Sequence, residues 1–186
     1  MNTPNKLTVL RMCLVPVFVS LLMIPSVPHR FLWALIVFSA ASLTDLLDGY
    51  LARRDHLVTD FGKFMDPLAD KILVTSAMIC FIELGLAPAV PIVIIIAREF
   101  TVTSLRLIGA GKGAVIAADI WGKWKTVVQM IWIIAALFFS WLGGLFSLPA
   151  PVWYAVDLLL WLAVLLTVVS GVNYLWKNRS LLKDVK

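Results

Sequence analysis

The chain has 186 residues, of which 61% are hydrophobic and only 15% charged, and its mean hydropathy is +0.95. A soluble domain is about 25% charged, and a chain this long buries only about 70% of the surface it exposes when unfolded. That excludes a water-soluble fold, a disordered chain, a secreted disulfide scaffold and a DNA-binding domain. The net charge of +5 comes from 16 Lys+Arg against 11 Asp+Glu, and in so apolar a chain the information lies in where those charges fall.

A bilayer core requires about 20 apolar helical residues per crossing. Six stretches qualify, at about 7–25, 31–52, 67–87, 89–109, 125–143 and 152–176. The prediction is an all-α membrane protein with six transmembrane helices, forming one domain over residues 1–186. The first stretch has no small-residue cleavage site before Pro28, and Asn5, Thr8 and Arg11 stand at its start. It therefore reads as a helix and not as a signal peptide. Cys13 and Cys80 lie in apolar runs and read as small buried hydrophobes.

Six spans place both termini on one side. With that side cytoplasmic, 15 of the 16 basic residues fall in or towards the cytoplasmic half, Arg30 being the exception. The positive-inside rule sets this orientation. Trp33, Trp121, Trp124, Trp141, Trp153 and Trp176 fall near span ends, as an interfacial belt would, whereas Trp132 and Trp161 are mid-span and read as packing residues.

Six of the 11 acids lie between positions 45 and 70. Asp45 and Asp48 are three residues apart near the end of span two, and Asp66 and Asp70 are four apart at the start of span three. Each pair shares a helix face. A loop of about ten residues makes the two spans antiparallel neighbours, so the pairs can meet. An acid at the centre of an inserted helix costs about 2.5–3.5 kcal/mol, and four carboxylates in a low dielectric repel unless cations neutralise them. Hard oxygen donors in that number suit Mg²⁺ or Mn²⁺, two ions by their count. The competing reading is a set of solvated helix-end charges. Gly49, Ala52 and Gly62 leave room for a bulky ligand to approach the backbone, although small residues also serve tight packing between membrane helices. Arg53 offers a fixed cation for a phosphate. Pro67 suits a first helical position, so Asp66 is a candidate cap. The polar cavity implied by these acids opens to the cytoplasm.

Residues 45–70 read Asp45-x₂-Asp48-Gly49-x₂-Ala52-Arg53-x₈-Gly62-x₃-Asp66-x₃-Asp70. At every one of these positions the chain resembles the CDP-alcohol phosphatidyltransferase family, which also has six spans. Pro4-Asn5-Lys6-Leu7-Thr8-x₂-Arg11, Phe61 to Lys71, Ala97-Arg98-Glu99-Phe100 and Gly122 to Thr126 are similar to a bacterial branch of that family whose acceptor is sn-glycerol 3-phosphate. The resemblance implies transfer of the phosphatidyl group from CDP-diacylglycerol to that acceptor, with release of CMP. It implies metal binding by Asp45, Asp48, Asp66 and Asp70, with Asp70 also the general base. Gly49, Arg53 and Thr59 would contact the CDP moiety, and the Asn5 to Thr8 segment would touch the nucleotide end. A homodimer in a bacterial inner membrane, with a cytoplasmic active site, is also implied.

Glycerol 3-phosphate is a dianion, and Arg98, Arg106, Lys123 and Lys125 are the spare cations of spans four and five. Arg98 is too deep to snorkel easily; its alternative is an ion pair with Glu99 or a motif Asp. For Arg106, Lys123 and Lys125 the alternative is positive-inside anchoring. Arg179 and the C-terminal lysines read as anionic-lipid contacts, and Glu83, Asp119 and Asp157 as loop or interface residues. Serine, inositol phosphate or another phosphatidyl lipid are the rival acceptors. A prenyltransferase and a small ion transporter with a buried acidic site are the rivals outside the family. The first needs more spans and a different acid spacing, and the second leaves Ala52-Arg53-x₈-Gly62 unexplained.

Overall fold

The computed structural model describes the backbone of residues 3–54, 60–111 and 119–179, and the side chains of 8–44, 68–69, 71–109 and 119–179. Six α-helices follow in order: α1 (Thr3–Met23), α2 (Arg30–Arg54), α3 (Asp60–Glu83), α4 (Ala89–Gly111), α5 (Ile120–Gly143) and α6 (Ala150–Lys177). No strand occurs among the described residues. The chain divides into two compact units, Met1–Leu86 with Ile133–Leu148, and Ala87–Trp132 with Pro149–Lys186. α5 thus contributes its first half to the second unit and its last half to the first.

In the first unit α1 packs along both α2 and α3, which also touch each other. Phe18 and Leu22 of α1, Phe38 of α2 and Phe81 of α3 are wholly buried, and the Phe18 and Phe38 rings meet at 5.9 Å between centroids. Ala34, Ala41, Ala69 and Ala77 are wholly buried as well. Such small side chains let helix backbones approach, which is how apolar helices associate without a hydrophobic drive between them. Pro16 lies inside α1 and withholds one helix hydrogen bond.

The turns have local causes. α3 ends where Gly85 takes a positive φ of 69°. Leu86 N–H then donates to the Phe81 carbonyl at 2.8 Å and Gly85 N–H to that of Ile82 at 3.1 Å, the paired bonds of a Schellman stop. His29, with φ 54°, opens α2 and accepts at Nδ1 from the Trp141 indole N–H at 3.3 Å.

In the second unit α4 packs along α6. Val102, Leu105 and Tyr174 form a buried seam there, with Leu175 against it. The buried residues of α6, from Val156 through Leu160, Ala163, Val164, Thr167, Ser170 and Gly171 to Tyr174, recur every three or four positions. Thr167 and Ser170 satisfy their hydroxyls on carbonyls of their own helix. α6 starts at a proline pair, Pro149 and Pro151, whose fixed φ suits a first turn. It ends with the Asn178 side-chain amide donating to the Tyr174 carbonyl at 2.8 Å.

α5 and α6, of 24 and 28 residues, are long and apolar enough to cross a membrane. Their outward faces carry residues such as Ile131, Leu158, Leu165 and Val172, all exposed. Apolar patches of this extent mark a surface meant for an apolar environment. Two expectations are corrected here. Cys13 is exposed, unlike buried Cys80, because it lies on the face of α1 opposite the one occupied by Val15 and Phe18. Trp161 is also exposed, whereas Trp132 is wholly buried.

Candidate active site

The eight motif residues fall on two helices of the first unit. Asp45, Asp48, Gly49, Ala52 and Arg53 lie on the last turns of α2, and Gly62, Asp66 and Asp70 on the first turns of α3. The helical backbone keeps Asp45 and Asp48 one turn apart, and likewise Asp66 and Asp70. Their side chains lie outside the described residues, as do Thr59 and the Asn5 side chain. One expectation changes. α3 begins at Asp60, so Asp66 stands within the helix and does not cap it, and Pro67 is inside it. α2 runs to Arg54 and α3 from Asp60, each beyond the apolar span expected of it.

α1 brings polar groups into this unit. Thr8 is wholly buried and Arg11 is 1% exposed, and both have interaction partners. They are adjacent on the helix surface, three residues apart. A buried guanidinium requires compensation, so Arg11 is part of the unit's polar interior and not an interfacial anchor. Composition alone gave no signal of this. In the structure Arg11, Val15, Phe18 and Leu22 form one buried stripe of α1.

The second unit gathers the cations. Arg98 is the tenth residue of α4, and Lys125 sits on the second turn of α5. Between them is Glu99. Its Oε1 accepts from Arg98 Nη1 at 2.9 Å and from Lys125 Nζ at 2.7 Å. The side chains are 14%, 28% and 3% exposed for Arg98, Glu99 and Lys125 respectively. The ion pair with Glu99 that competed for Arg98 in the sequence is therefore formed. Lys125 is no surface anchor, because the pair draws it inward. Lys123, two residues earlier, is exposed, as anchoring requires.

Two glycines flank Arg98. A Cβ on Gly171 of α6 would stand 3.1 Å from Arg98 Cγ, and one on Gly122 of α5 would stand 3.4 Å from Nη2. The arginine stem thus runs where Gly171 leaves no side chain. Arg106, two turns further along α4, donates from Nε to the Tyr174 hydroxyl at 3.1 Å, with its guanidinium 5.6 Å from the ring centroid. It is tied to α6, apart from the Glu99 cluster's hydrogen bonds.

A third polar group lies at the start of α5. Asp119 accepts from the Asn173 side-chain amide and, at 3.2 Å, from Lys177 Nζ. Its backbone carbonyl takes the N–H groups of Gly122 and Lys123 at 3.1 and 3.3 Å. Desolvation acts to raise its carboxyl, but the hydrogen bonds from Lys177 and Asn173 and the lysine's charge outweigh it and hold the group below the usual carboxylate range. Asp119, expected as a loop or interface residue, is therefore a tie between the α5 start and α6.

The comparisons fall on the same segments. A model of a family described as CDP-alcohol phosphatidyltransferase matches residues 1–169. The CDP-diacylglycerol–glycerol-3-phosphate 3-phosphatidyltransferase of Bacillus subtilis is 46% identical, over 98% of this chain and 97% of its own length. The Haemophilus influenzae protein of the same name is 37% identical, over 98% and 96%. A probable phosphatidylglycerophosphate synthase of Mycobacterium tuberculosis is 41% identical, over 93% and 79%. The aspartate motif lies on two helices of one unit, and the likeness runs through the cation cluster of the other. On both counts, the chain belongs to the CDP-alcohol phosphatidyltransferase family.

Proposed function

We propose that this protein transfers the phosphatidyl group of CDP-diacylglycerol to sn-glycerol 3-phosphate, giving phosphatidylglycerophosphate and CMP. The observation that carries this reading is the near end-to-end likeness to enzymes named for that reaction, at 46% identity in the Bacillus subtilis case. The aspartate motif supports the donor half, and the cations around Glu99 support a phosphorylated acceptor. Serine carries no phosphate and offers these cations only a single carboxylate, which the dianionic phosphate of glycerol 3-phosphate exceeds in charge.

The chemistry assigns roles to residues of this chain. Asp45, Asp48, Asp66 and Asp70 would hold Mg²⁺ or Mn²⁺, two ions by the number of donors; the all-oxygen set, spaced at helical turns, fits such hard cations. The ions supply charge neutralisation for a diphosphate. Asn5, Thr8, Gly49, Ala52, Arg53, Thr59 and Gly62 would receive the CDP-lipid, with Arg53 on a phosphate. Asp70 takes the proton of the primary hydroxyl as its oxygen forms a bond to the lipid-bearing phosphorus. The bond from that phosphorus to the bridging oxygen breaks, and CMP leaves with the electron pair. Arg98 and Lys125 bind the acceptor's own phosphate, with Arg106 and Lys123 as further cations of the acceptor side.

The membrane setting follows from the same charges. All six helices cross a bacterial inner membrane, with the termini and a polar cavity on the cytoplasmic side, where 15 of 16 basic residues would then lie. The homodimer implied by the family belongs to the same proposal and is read by light scattering in detergent. The function is tested by incubating purified protein with CDP-diacylglycerol and Mg²⁺ against a panel of acceptors. CMP release dependent on glycerol 3-phosphate supports it. Equal or greater release with serine or inositol phosphate overturns the acceptor assignment.

A further inference from the structure

Arg98 has two donor edges. In a guanidinium, Nη1 and Nη2 form the end-on fork, and Nε and Nη2 form the side-on fork, each able to grip two oxygens of a phosphate. The end-on fork is already spent, since Nη1 donates to Glu99 at 2.9 Å. On the side-on fork, Nε is buried without a hydrogen-bond partner among the described residues. Nη2 borders Gly122, whose missing side chain leaves that nitrogen uncovered; a Cβ there would rest on it at 3.4 Å. A buried donor left unmet raises the free energy of the empty protein, and an arriving acceptor atom lowers it again.

Glu99 also fixes the second cation. The same oxygen, Oε1, accepts from Lys125 Nζ at 2.7 Å. Two cations this close in a largely buried site would repel and splay if no anion lay between them. One carboxylate oxygen holds both in register.

We propose that Glu99 is a positioning residue for the acceptor. It occupies Nη1 of Arg98 and clamps Lys125, leaving the Nε–Nη2 fork of Arg98, beside the bare Gly122, as the grip for a phosphomonoester. The proposal rests on the reading that Arg98 and Lys125 bind the acceptor's phosphate. It adds that Glu99 touches no substrate and acts through Arg98, and that Gly122 is kept bare for the same purpose.

The test uses the full chain in detergent micelles, with KM measured separately for glycerol 3-phosphate and for CDP-diacylglycerol. Glu99→Gln should raise the acceptor KM about tenfold and leave the donor KM within about twofold. Glu99→Asp, which keeps the charge, should recover part of the loss. Arg98→Lys removes the fork and keeps the charge. It should raise the acceptor KM, and adding Glu99→Gln to it should cost less than the same change costs in the parent chain, because no fork remains to orient and only the hold on Lys125 is left to lose. If Glu99→Gln is not recovered folded, Gly122→Ala carries the same prediction, an acceptor KM raised several-fold with the donor KM unchanged. An unchanged acceptor KM in Glu99→Gln, with Arg98→Lys raised, removes Glu99 from the role and leaves the acceptor site standing. An equal rise in both KM values makes Glu99 a structural residue and overturns the proposal. An unchanged acceptor KM in Arg98→Lys and Glu99→Gln alike overturns the acceptor reading itself.

Discussion

Gly171→Ala probes how tightly Arg98 is held, at its stem and not at the guanidinium that meets Glu99. The new methyl carbon would lie 3.1 Å from Arg98 Cγ. Carbon atoms in contact sit at about 3.5–4.0 Å, so the arginine stem or α6 must give by roughly half an ångström. Alanine favours a helix over glycine by about 1 kcal/mol, while overpacking a close site costs about 1–3 kcal/mol. The two nearly offset, and global stability should fall by no more than about 2 kcal/mol. The effect on the site is different. The Arg98–Glu99 bond, 2.9 Å long, is charge-assisted, and bonds of that kind contribute about 1.5–3 kcal/mol. Losing roughly 1 kcal/mol of that alignment corresponds to about a fivefold change in affinity. The expected result is an acceptor KM raised about fivefold, a donor KM within twofold and a small change in the tryptophan-detected melting temperature. The reasoning is refuted if both KM values stay unchanged while Arg98→Ala raises the acceptor KM. It is refuted equally if the donor KM rises as much as the acceptor KM.

Asp70→Asn should abolish turnover while nucleotide-lipid binding stays measurable by equilibrium titration; retained CMP release would remove Asp70 as the base. Lys125→Met removes one of the two cations that Glu99 pairs with among the described residues. Breaking a buried pair costs about 3–5 kcal/mol, less here because Glu99 is 28% exposed and keeps Arg98. Thermal melts should show a clear loss, partly recovered in the Lys125→Met, Glu99→Met double variant. At Asp119 the folded carboxyl is held low by Lys177 and Asn173 against desolvation. Its contribution is therefore full above the unfolded carboxylate range and is lost as pH falls through the lower folded value. Melting temperatures of the parent and Asp119→Asn should differ by a constant amount from neutral pH downwards and converge only below about pH 4. A gap that widens on acidification contradicts the tie.

Much of this was legible in the sequence, for identifiable reasons. Apolar length located all six helices, and the starts and ends shift by a few residues where polar helical turns extend beyond the apolar run. Examples are Thr3 to Lys6 before span one and Asp60 to Asp66 before span three. That second extension also removed Asp66 from its expected cap position. The motif was legible because a fixed spacing along a helix is a one-dimensional signal. The depth of Arg98 was legible for the same reason, and so was its short choice of partners.

Features that depend on one helix meeting another were hidden. Glu99 was among the partners the sequence offered Arg98, although neighbours in a helix do not ordinarily face each other. Nothing in the order of residues announces that Lys125, 26 positions later, shares its oxygen. The bare positions Gly122 and Gly171 acquire meaning only when the Arg98 stem runs past them. The burial of Arg11 with Thr8 and the Asp119–Asn173–Lys177 tie are of the same kind. Cys13 and Trp161 were misread for the opposite reason, since an apolar surround in sequence does not distinguish a buried helix face from an exposed one.

Transfer of the phosphatidyl group from CDP-diacylglycerol to glycerol 3-phosphate, with release of CMP, is the proposed reaction of this chain. Its most direct test is the yield of CMP and lipid product from purified protein in mixed micelles containing both substrates and Mg²⁺. CMP and phosphatidylglycerophosphate should form in equal amounts, with neither formed when glycerol 3-phosphate is omitted or Asp48 is replaced by Asn. CMP release that is indifferent to glycerol 3-phosphate, or no release from folded protein, would contradict it.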